Sequence, residues 1–218
     1  VLETGMGGRL DATNTQDPLV CAITPISYEH TQKLGNTLKE IAYEKAGIIK
    51  EGCVVISAPQ EEEAAIVIRN KCQEYGTRLY TVGIDICYEV KGRGFAIRGA
   101  QGEYEDLEIR LKGAHQLVNA SVAVGAIEAL RLYGITIGSD AIKRGLYRTL
   151  WPGRLEVLSG APFVVLDGAQ NVSSSIALKE AVRSNFKYNK LIMVLGISGD
   201  KDISGVCAEL YDLADEVI

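Results

Sequence analysis

Two polar residues near the start of the chain have types and positions that suit a magnesium–nucleotide site. Glu3 follows Val1-Leu2, which we interpret as part of an apolar strand, and precedes the glycine-rich run Gly5-Met-Gly-Gly8. A carboxylate beside flexible backbone is where nucleotide enzymes hold Mg²⁺. His30 follows an apolar stretch, and an imidazole can bind a metal or a phosphate. Each residue has an ordinary alternative, a solvated turn for Glu3 and a surface loop for His30.

Lys45 lies on an apolar helical stripe. Leu38, Ile41, Ala42 and Ile49 recur at the spacing of one helix face, and Lys45 is four residues from both Ile41 and Ile49. Burying an ammonium there is unfavourable unless the group is paired or chemically altered. The same spacing also suits a lysine whose stem packs while its head reaches solvent.

A third group of polar residues lies in the last third of the chain. Asp167-Gly-Ala-Gln170-Asn171 follows an apolar run and precedes a helical pattern. Helix-start amides can face a phosphate or a substrate, although a capped turn between strand and helix is the common alternative. Arg154 belongs to the interrupting segment Trp151-Pro-Gly-Arg154. Its guanidinium can bind a phosphate in bidentate fashion, or it can form a surface salt bridge.

These residues must be positioned by the elements around them, and the chain predicts an α/β fold. Apolar runs alternate with helical patterns, which favours a largely parallel sheet covered by helices. In such sheets, ligands bind at the carboxyl ends of the strands. The first cycle comprises strands at Cys21–Ser27, Cys53–Ala58 and Leu79–Val82 and helices at Thr37–Ile49 and Glu61–Tyr75.

Residues 84–112 break this rhythm with four glycines, which predicts small antiparallel hairpins. The Trp-Pro-Gly segment at 151–153 then disfavours continued helix, so the domain boundary is expected there, between residues 1–150 and 151–218. Around it we predict helices at Gln116–Tyr133 and Asp140–Thr149, strands at Leu155–Leu158, Phe163–Leu166 and Leu191–Leu195, and helices at Ser174–Phe186 and Ile203–Leu213.

Composition restricts the class of protein. The 218 residues carry a formal charge of −5, which argues against nucleic-acid binding. Five scattered cysteines without a Cys-x-x-Cys pair indicate reduced thiols in the cytoplasm, and the two histidines form no zinc motif. No apolar run approaches the roughly 20 residues that span a bilayer. The absent start methionine and the strand-like Asp215-Glu-Val-Ile218 lead us to expect a piece of a longer chain.

Motifs from residue 2 to residue 202, taken in order, closely resemble the folylpolyglutamate synthase/dihydrofolate synthase family of the Mur ligase superfamily. They are Leu2-Glu-Thr-Gly-Met-Gly-Gly-Arg-Leu-Asp-Ala-Thr-Asn14, His30-Thr-Gln-Lys-Leu-Gly-Asn-Thr37, Glu44-Lys-Ala-Gly-Ile-Ile-Lys50, His115-Gln-Leu-Val-Asn-Ala120, Pro152-Gly-Arg-Leu-Glu156, Asp167-Gly-Ala-Gln-Asn171 and Gly199-Asp-Lys-Asp202.

The resemblance implies a ligase that uses ATP and Mg²⁺ to activate a folate or dihydropteroate carboxylate as an acyl phosphate, which the amine of L-glutamate then attacks. Residues 1–150 would be the later part of a P-loop-type ATPase domain and 151–218 the start of a Rossmann-like C-terminal domain. The enzyme is expected to be a cytoplasmic monomer that binds neither nucleic acid nor membrane. Dihydrofolate synthase, folylpolyglutamate synthase and a bifunctional enzyme all remain open.

Roles for single residues follow from the same resemblance. Glu3 and His30 match magnesium ligands, and Lys45 matches a lysine that is carbamylated in this superfamily and so serves the metal site as an anion. Asn119, Arg154 and Asp167 match contacts to the nucleotide. Lys45, Asp167 and Gln170 are expected to take part in catalysis.

The sequence departs from the family in two respects. No Gly-x-x-x-x-Gly-Lys-Ser/Thr motif occurs in the 218 residues, so the isolated chain is expected to be inactive. Gln170 stands where the family usually has His, and an amide cannot carry positive charge. Two alternatives stay open, a related Mur-type amino-acid ligase and a non-catalytic module that keeps the fold.

Overall fold

The computed structural model describes residues 1–160 and 162–218, with Ser159 described by its backbone alone. The fold is α/β, as the sequence predicts, and it divides into two compact units. The first unit contains residues 1–108 and 117–148, and the second contains residues 109–116 and 149–218. Residues 109–116 therefore cluster with the second unit, although the sequence placed them in the first domain.

The first unit is built on a parallel three-stranded sheet. Its strands β1 (Val20–Ile23), β2 (Val54–Ser57) and β3 (Arg78–Thr81) lie in the order β1-β2-β3. All four residues of β2 are buried, as expected for a central strand that is covered on both faces. The parallel sheet expected from the sequence is confirmed.

Helices α1 (Thr31–Leu34) and α2 (Leu38–Ala46) lie between β1 and β2 in the chain, and α3 (Glu62–Glu74) lies between β2 and β3. Thr37 and Glu40 form a reciprocal capping box that fixes the start of α2, which ends at Gly47. The buried faces of α2 and α3 form one apolar core with β1 and β2, whose members include Cys21, Ile23, Ile41, Ala42, Val55, Ala64 and Ile68.

An antiparallel meander follows, as predicted, with strands β4 (Cys87–Lys91), β5 (Gly94–Arg98) and β6 (Glu103–Leu107). It is anchored by Glu128 of helix α4 (His115–Ala129). The Glu128 carboxylate is 1% exposed and accepts hydrogen bonds from Ala100 N (2.9 Å), Gln101 N (3.3 Å) and the Tyr104 hydroxyl (3.2 Å). The chain continues as a 3-10 helix (Leu130–Tyr133) and helix α5 (Ser139–Arg148).

The second unit begins with an antiparallel pair, β7 (Glu156–Gly160) and β8 (Phe163–Leu166). Helix α6 (Val172–Asn185) follows, and strand β9 (Ile192–Met193) pairs in parallel with β10 (Glu216–Val217). Helix α7 (Ile203–Leu210) lies between those two strands in the chain. The apolar core of the second unit contains Val206, Leu210 and Leu213. No described helix is long and apolar enough to cross a membrane.

Two local predictions are wrong, and one short helix was not predicted. Residues 1–4 form no strand, so Glu3 does not follow one. Strand β1 ends at Ile23 rather than Ser27, because Pro25 has no N–H to donate to a sheet. The short helix α1 starts right after His30, whose backbone is left-handed (φ 52°), and four residues are too few to show a helical period.

Candidate functional site

The glycine-rich segment after Glu3 is an ordered loop organised by Asp11. Asp11 Oδ2 accepts hydrogen bonds from Gly5 N (2.9 Å) and Met6 N (3.1 Å), and Oδ1 accepts from Thr13 N (3.0 Å) and Thr13 Oγ1 (2.7 Å). The Thr13 hydroxyl, followed by these backbone donors, lowers the pKa of Asp11 to about 2. Exposed Glu3 therefore leads directly into a loop whose backbone is fixed.

This loop lies on the C-terminal end of α2. Arg9 N donates to the Glu44 carbonyl (2.8 Å), and Asn14 Nδ2 donates to the carbonyls of Arg9 and Gly47 (3.0 Å each). Lys50 Nζ donates to the carbonyls of Asn14 (2.9 Å) and Gln16 (2.8 Å). The contacts to the Glu44 and Gly47 carbonyls satisfy backbone acceptors at the end of α2, where helices leave carbonyls unpaired. The contacts to the Asn14 and Gln16 carbonyls hold the loop itself through Lys50.

Lys45 lies in the last turn of α2 and is half-buried. Ile41 and Ala42 are fully buried and Ala46 is 1% exposed, so Lys45 lies at the edge of the apolar face rather than at its centre. Its ammonium has no hydrogen-bond or ion-pair partner within residues 1–160 and 162–218. The position is compatible with a packed stem, and it leaves the amine available for chemistry.

His30 is half-buried at the start of α1, and its Nε2 lies 3.8 Å from a carboxylate oxygen of Glu29. The described residues contain no group of three His, Cys, Asp or Glu side chains that could hold a metal by themselves. Mg²⁺, however, usually binds one or two protein carboxylates together with substrate phosphates and water. An exposed carboxylate such as Glu3 fits that kind of site and does not fit a closed protein cage.

In the second unit, Asp167 holds the segment that carries Arg154. Asp167 Oδ2 accepts from Leu155 N (2.9 Å) and Oδ1 accepts from Ala169 N (2.8 Å). Leu155 has a positive φ of 46°, which is unusual for a residue with a branched side chain. The hydrogen bond to Asp167 stabilises this conformation beside exposed Arg154.

His115, which the sequence identified only as part of a motif, joins this polar region. Burial, followed by the positive charge of Arg154, lowers its pKa, while Asp167 and Glu180 act in the opposite direction. Gln116 Nε2 lies 3.0 Å from His115 Nε2. An amide nitrogen can only donate, so this contact suits a neutral imidazole with its proton on Nδ1. No spacing rule would have linked His115 to residues 154–180.

The remaining predicted residues have simpler surroundings. Gln170 is exposed, and its backbone N–H donates to Ser174 Oγ (3.1 Å). Asn171 caps α6 by accepting from Ser174 N (2.8 Å), so the cap proposed as an alternative for this segment is present. Asn119 is half-buried in α4 and belongs to the first unit.

The structure thus places Glu3, His30 and Lys45 in the first unit, with the loop after Glu3 in direct contact with the end of the helix that carries Lys45. Arg154, Asp167 and Gln170 belong to the second unit, together with His115. The predicted residues of the first unit offer oxygen, imidazole and amine ligands. Those of the second unit offer a guanidinium, a carboxylate and an amide.

Known proteins resemble the chain along its whole length. Residues 153–218 match the Mur ligase glutamate ligase domain. The dihydrofolate synthase/folylpolyglutamate synthase of Bacillus subtilis is 35% identical over 224 residues, covering 100% of this chain and 52% of the relative. The chain therefore spans about half the length of the curated relatives it matches.

Two solved structures show the same fold. The folylpolyglutamate synthase of Mycobacterium tuberculosis, complexed with ADP and AMPPCP, superposes with a TM-score of 0.89 at 33% identity, covering 98% of this chain and 50% of that one. FolC of Escherichia coli in complex with DHPP and ADP gives 0.89 at 32% identity, with the same coverage of 98% and 50%.

Proposed function

We propose that the chain is part of an ATP-dependent ligase of the folylpolyglutamate synthase/dihydrofolate synthase family, which joins L-glutamate to a folate or dihydropteroate carboxylate. The observation that carries this proposal is the match of the whole chain to relatives whose structures hold adenine nucleotides and DHPP. Dihydrofolate synthesis, glutamate-tail extension and both together remain alternatives within the proposal. Action as a monomer in the cytoplasm stays a prediction.

The proposed reaction has two steps. A substrate carboxylate oxygen attacks the γ-phosphorus of ATP, and ADP leaves, which gives an acyl phosphate. The glutamate amine then attacks the acyl carbon, phosphate leaves with its electron pair, and the amine loses one proton. Both steps spread negative charge over phosphate oxygens, so they require cationic groups and fixed donors around those oxygens.

Residues of the first unit would serve the metal. Glu3 and His30 would hold Mg²⁺ jointly with the nucleotide, and Lys45 would serve the site as a carbamate. When bound, Mg²⁺ supplies positive charge that neutralises the phosphates. The position of Lys45 supports this role, because the residue is half-buried at the edge of the apolar face and its amine meets no partner among the described residues.

Residues of the second unit would serve the nucleotide and the acyl group. Arg154 is exposed and can form a bidentate contact with phosphate, while Asp167 fixes the backbone next to it. Asn119, which belongs to the first unit, is proposed as a further nucleotide contact. Gln170 would donate a neutral hydrogen bond to a phosphate or carboxylate oxygen. Burial and the positive charge of Arg154 lower the pKa of His115, which favours a neutral imidazole beside the guanidinium.

The experiment uses the longer chain of which these 218 residues are expected to be a part, called the full chain below. It is supplied with ATP, L-glutamate and, in separate reactions, dihydropteroate and a reduced folate. We expect ADP release that requires both the acid and glutamate. With an ¹⁸O-labelled carboxylate, one labelled oxygen should appear in the released phosphate, since that oxygen bridges to phosphorus in the acyl phosphate. Turnover with a cell-wall precursor acid instead would favour a related Mur-type ligase. Absence of turnover with all acids would favour a non-catalytic module.

A further inference from the structure

Arg9 and Glu44 connect the glycine-rich loop to α2 through both side chains and backbone. Arg9 Nε lies 3.1 Å from each carboxylate oxygen of Glu44, and Arg9 Nη2 lies 3.0 Å from Oε1. Arg9 N also donates to the Glu44 carbonyl at 2.8 Å. Arg9 therefore holds both the side chain and the backbone carbonyl of Glu44, the residue immediately before Lys45.

Two glycines let the loop approach this closely. A Cβ on Gly8 would lie 2.8 Å from Ile48 Cγ2 and 2.9 Å from the carbonyl oxygen of Lys45. A Cβ on Gly47 would lie 2.3 Å from Arg9 Cβ. All three distances are too short for a side chain, so the loop backbone lies directly against the turn that contains Lys45.

This arrangement differs from an ordinary surface ion pair. An isolated exposed pair restrains little, because solvent screens it and both side chains are free to move. The Glu44 side chain is 20% exposed and the Arg9 side chain 42% exposed, but Arg9 is held at three side-chain contacts and one backbone contact. Since Arg9 holds Glu44 by hydrogen bonds and packs against Gly47, the backbone on both sides of Lys45 is held by the loop.

We propose that Arg9 and Glu44 are positioning residues that fix the direction of the Lys45 side chain in the ligase site. The proposal rests on the proposed function, because it assumes that Lys45 serves the metal site. Neither residue needs to touch substrate or metal. Both act through the last turn of α2.

The test is a double-mutant cycle in the full chain with Arg9→Gln, Glu44→Gln and the double variant. Each single variant should lower kcat roughly 10- to 100-fold with KM for ATP unchanged, which is the usual effect of losing a residue that orients a metal ligand. The double variant should be no worse than either single one, because both remove the same contact. The kcat of Arg9→Lys should lie between those of the parent and Arg9→Gln, since an ammonium keeps the charge but cannot form the bidentate contact of a guanidinium.

A second measurement does not depend on activity. Amide hydrogen exchange in residues 44–50 should be faster in Arg9→Gln than in the parent, while the far-UV circular dichroism stays the same. Arg69→Gln is the matched control, because Arg69 forms an exposed pair with Glu62 on α3. It should change neither kcat nor exchange at 44–50. Should Arg9→Gln fail to fold, Arg9→Lys and Glu44→Gln are judged by the same two measurements.

The outcomes separate the two proposals. If Lys45→Ala keeps full activity, the proposed role of Lys45 is wrong, whatever the Arg9 variants do. If Lys45→Ala is inactive while Arg9→Gln and Glu44→Gln both match the parent in kcat and exchange, only the positioning proposal is wrong. Independent, additive losses in the double variant would also overturn it.

Discussion

Lys45 is half-buried beside an apolar core, and its amine meets no partner in the described ranges. Its neighbours Ile41 and Ala42 are fully buried, so the helix face cannot turn to expose it further. A chemically altered amine and a solvent-reaching ammonium both fit this position. A substitution that removes the amine decides between them.

We predict that Lys45→Ala abolishes ligase activity in the full chain and leaves the protein folded, because alanine is the best helix former. Lys39→Ala, on the exposed face of the same helix, is the matched control and should retain activity. Activity is measured as ADP release, and folding by circular dichroism. Short carboxylic acids should partly restore the Lys45→Ala variant by occupying the vacated space.

Carbamylation itself is checked by intact mass or electron density, measured under CO₂ and without acid. An unmodified Lys45, combined with a fully active alanine variant, would contradict both the role of this residue and the argument from the helical stripe.

Gln170 provides a second prediction at this scale. Because it replaces a histidine that is usual in the family, Gln170→His should be tolerated in the full chain. Gln170→Ala should reduce transition-state stabilisation by about 1–3 kcal/mol, the effect of leaving a ligand oxygen unpaired. The measurement is kcat/KM for each variant. Equal values for the alanine variant and the parent would show that Gln170 acts only as a turn residue before α6.

At the scale of elements, the regular parts of the fold were predictable and the close contacts were not. Alternating apolar runs located β2, α3 and the meander, because their periods and glycines are local signals. The strand expected before Glu3 and the extension of β1 to Ser27 were wrong, since strand pairing and the effect of Pro25 depend on neighbours. The anchoring of the meander by Glu128 joins residues 28 positions apart and gives no sequence period.

The same distinction applies to the candidate site. Glu3, Lys45 and Asp167 could be selected from residue type and position, and the order of motifs gave them roles. The side-chain contact between Arg9 and Glu44 could not be predicted, because it joins residues 35 positions apart. It also requires two glycines to come into close contact with their neighbours. Short-range patterns carry no information about such contacts.

The loop around Asp11 leads to a pH-dependent prediction. The pKa of Asp11 is lowered in the folded protein to about 2, so its carboxylate stabilises the fold fully above its unfolded pKa of roughly 4. That contribution is lost as the pH falls towards 2. Asp11→Asn should therefore lower the free energy of unfolding at pH 7, and its difference from the parent should shrink between about pH 4 and pH 2.

The measurement is urea unfolding of the parent and of Asp11→Asn in the full chain at several pH values. Asp17→Asn is the matched control, because the Asp17 side chain is 96% exposed and should matter little at any pH. A difference between Asp11→Asn and the parent that grows as the pH falls would contradict the proposed hydrogen-bond network.

At the scale of the whole molecule, the two units hold different halves of the proposed chemistry. The first unit carries the proposed metal-serving residues and Asn119, and the second carries the arginine and carboxylate proposed for the nucleotide. Relatives about twice as long as this chain bind ADP, so their nucleotide contacts need not all lie in the matched half. The 218 residues can therefore be tested separately from the full chain.

We predict that the 218-residue chain alone does not bind MgATP measurably. Most phosphate contacts in nucleotide enzymes of this kind come from the backbone amides and lysine of a glycine-rich loop, and no Gly-x-x-x-x-Gly-Lys-Ser/Thr motif occurs in the sequence. Arg154, Asn119 and Asp167 cannot replace those amides. Calorimetry should show no saturable heat at millimolar nucleotide, with circular dichroism confirming that the chain is folded. The full chain is the control and should bind, whereas a micromolar Kd for the 218 residues would mean that the residues described here are sufficient for the nucleotide.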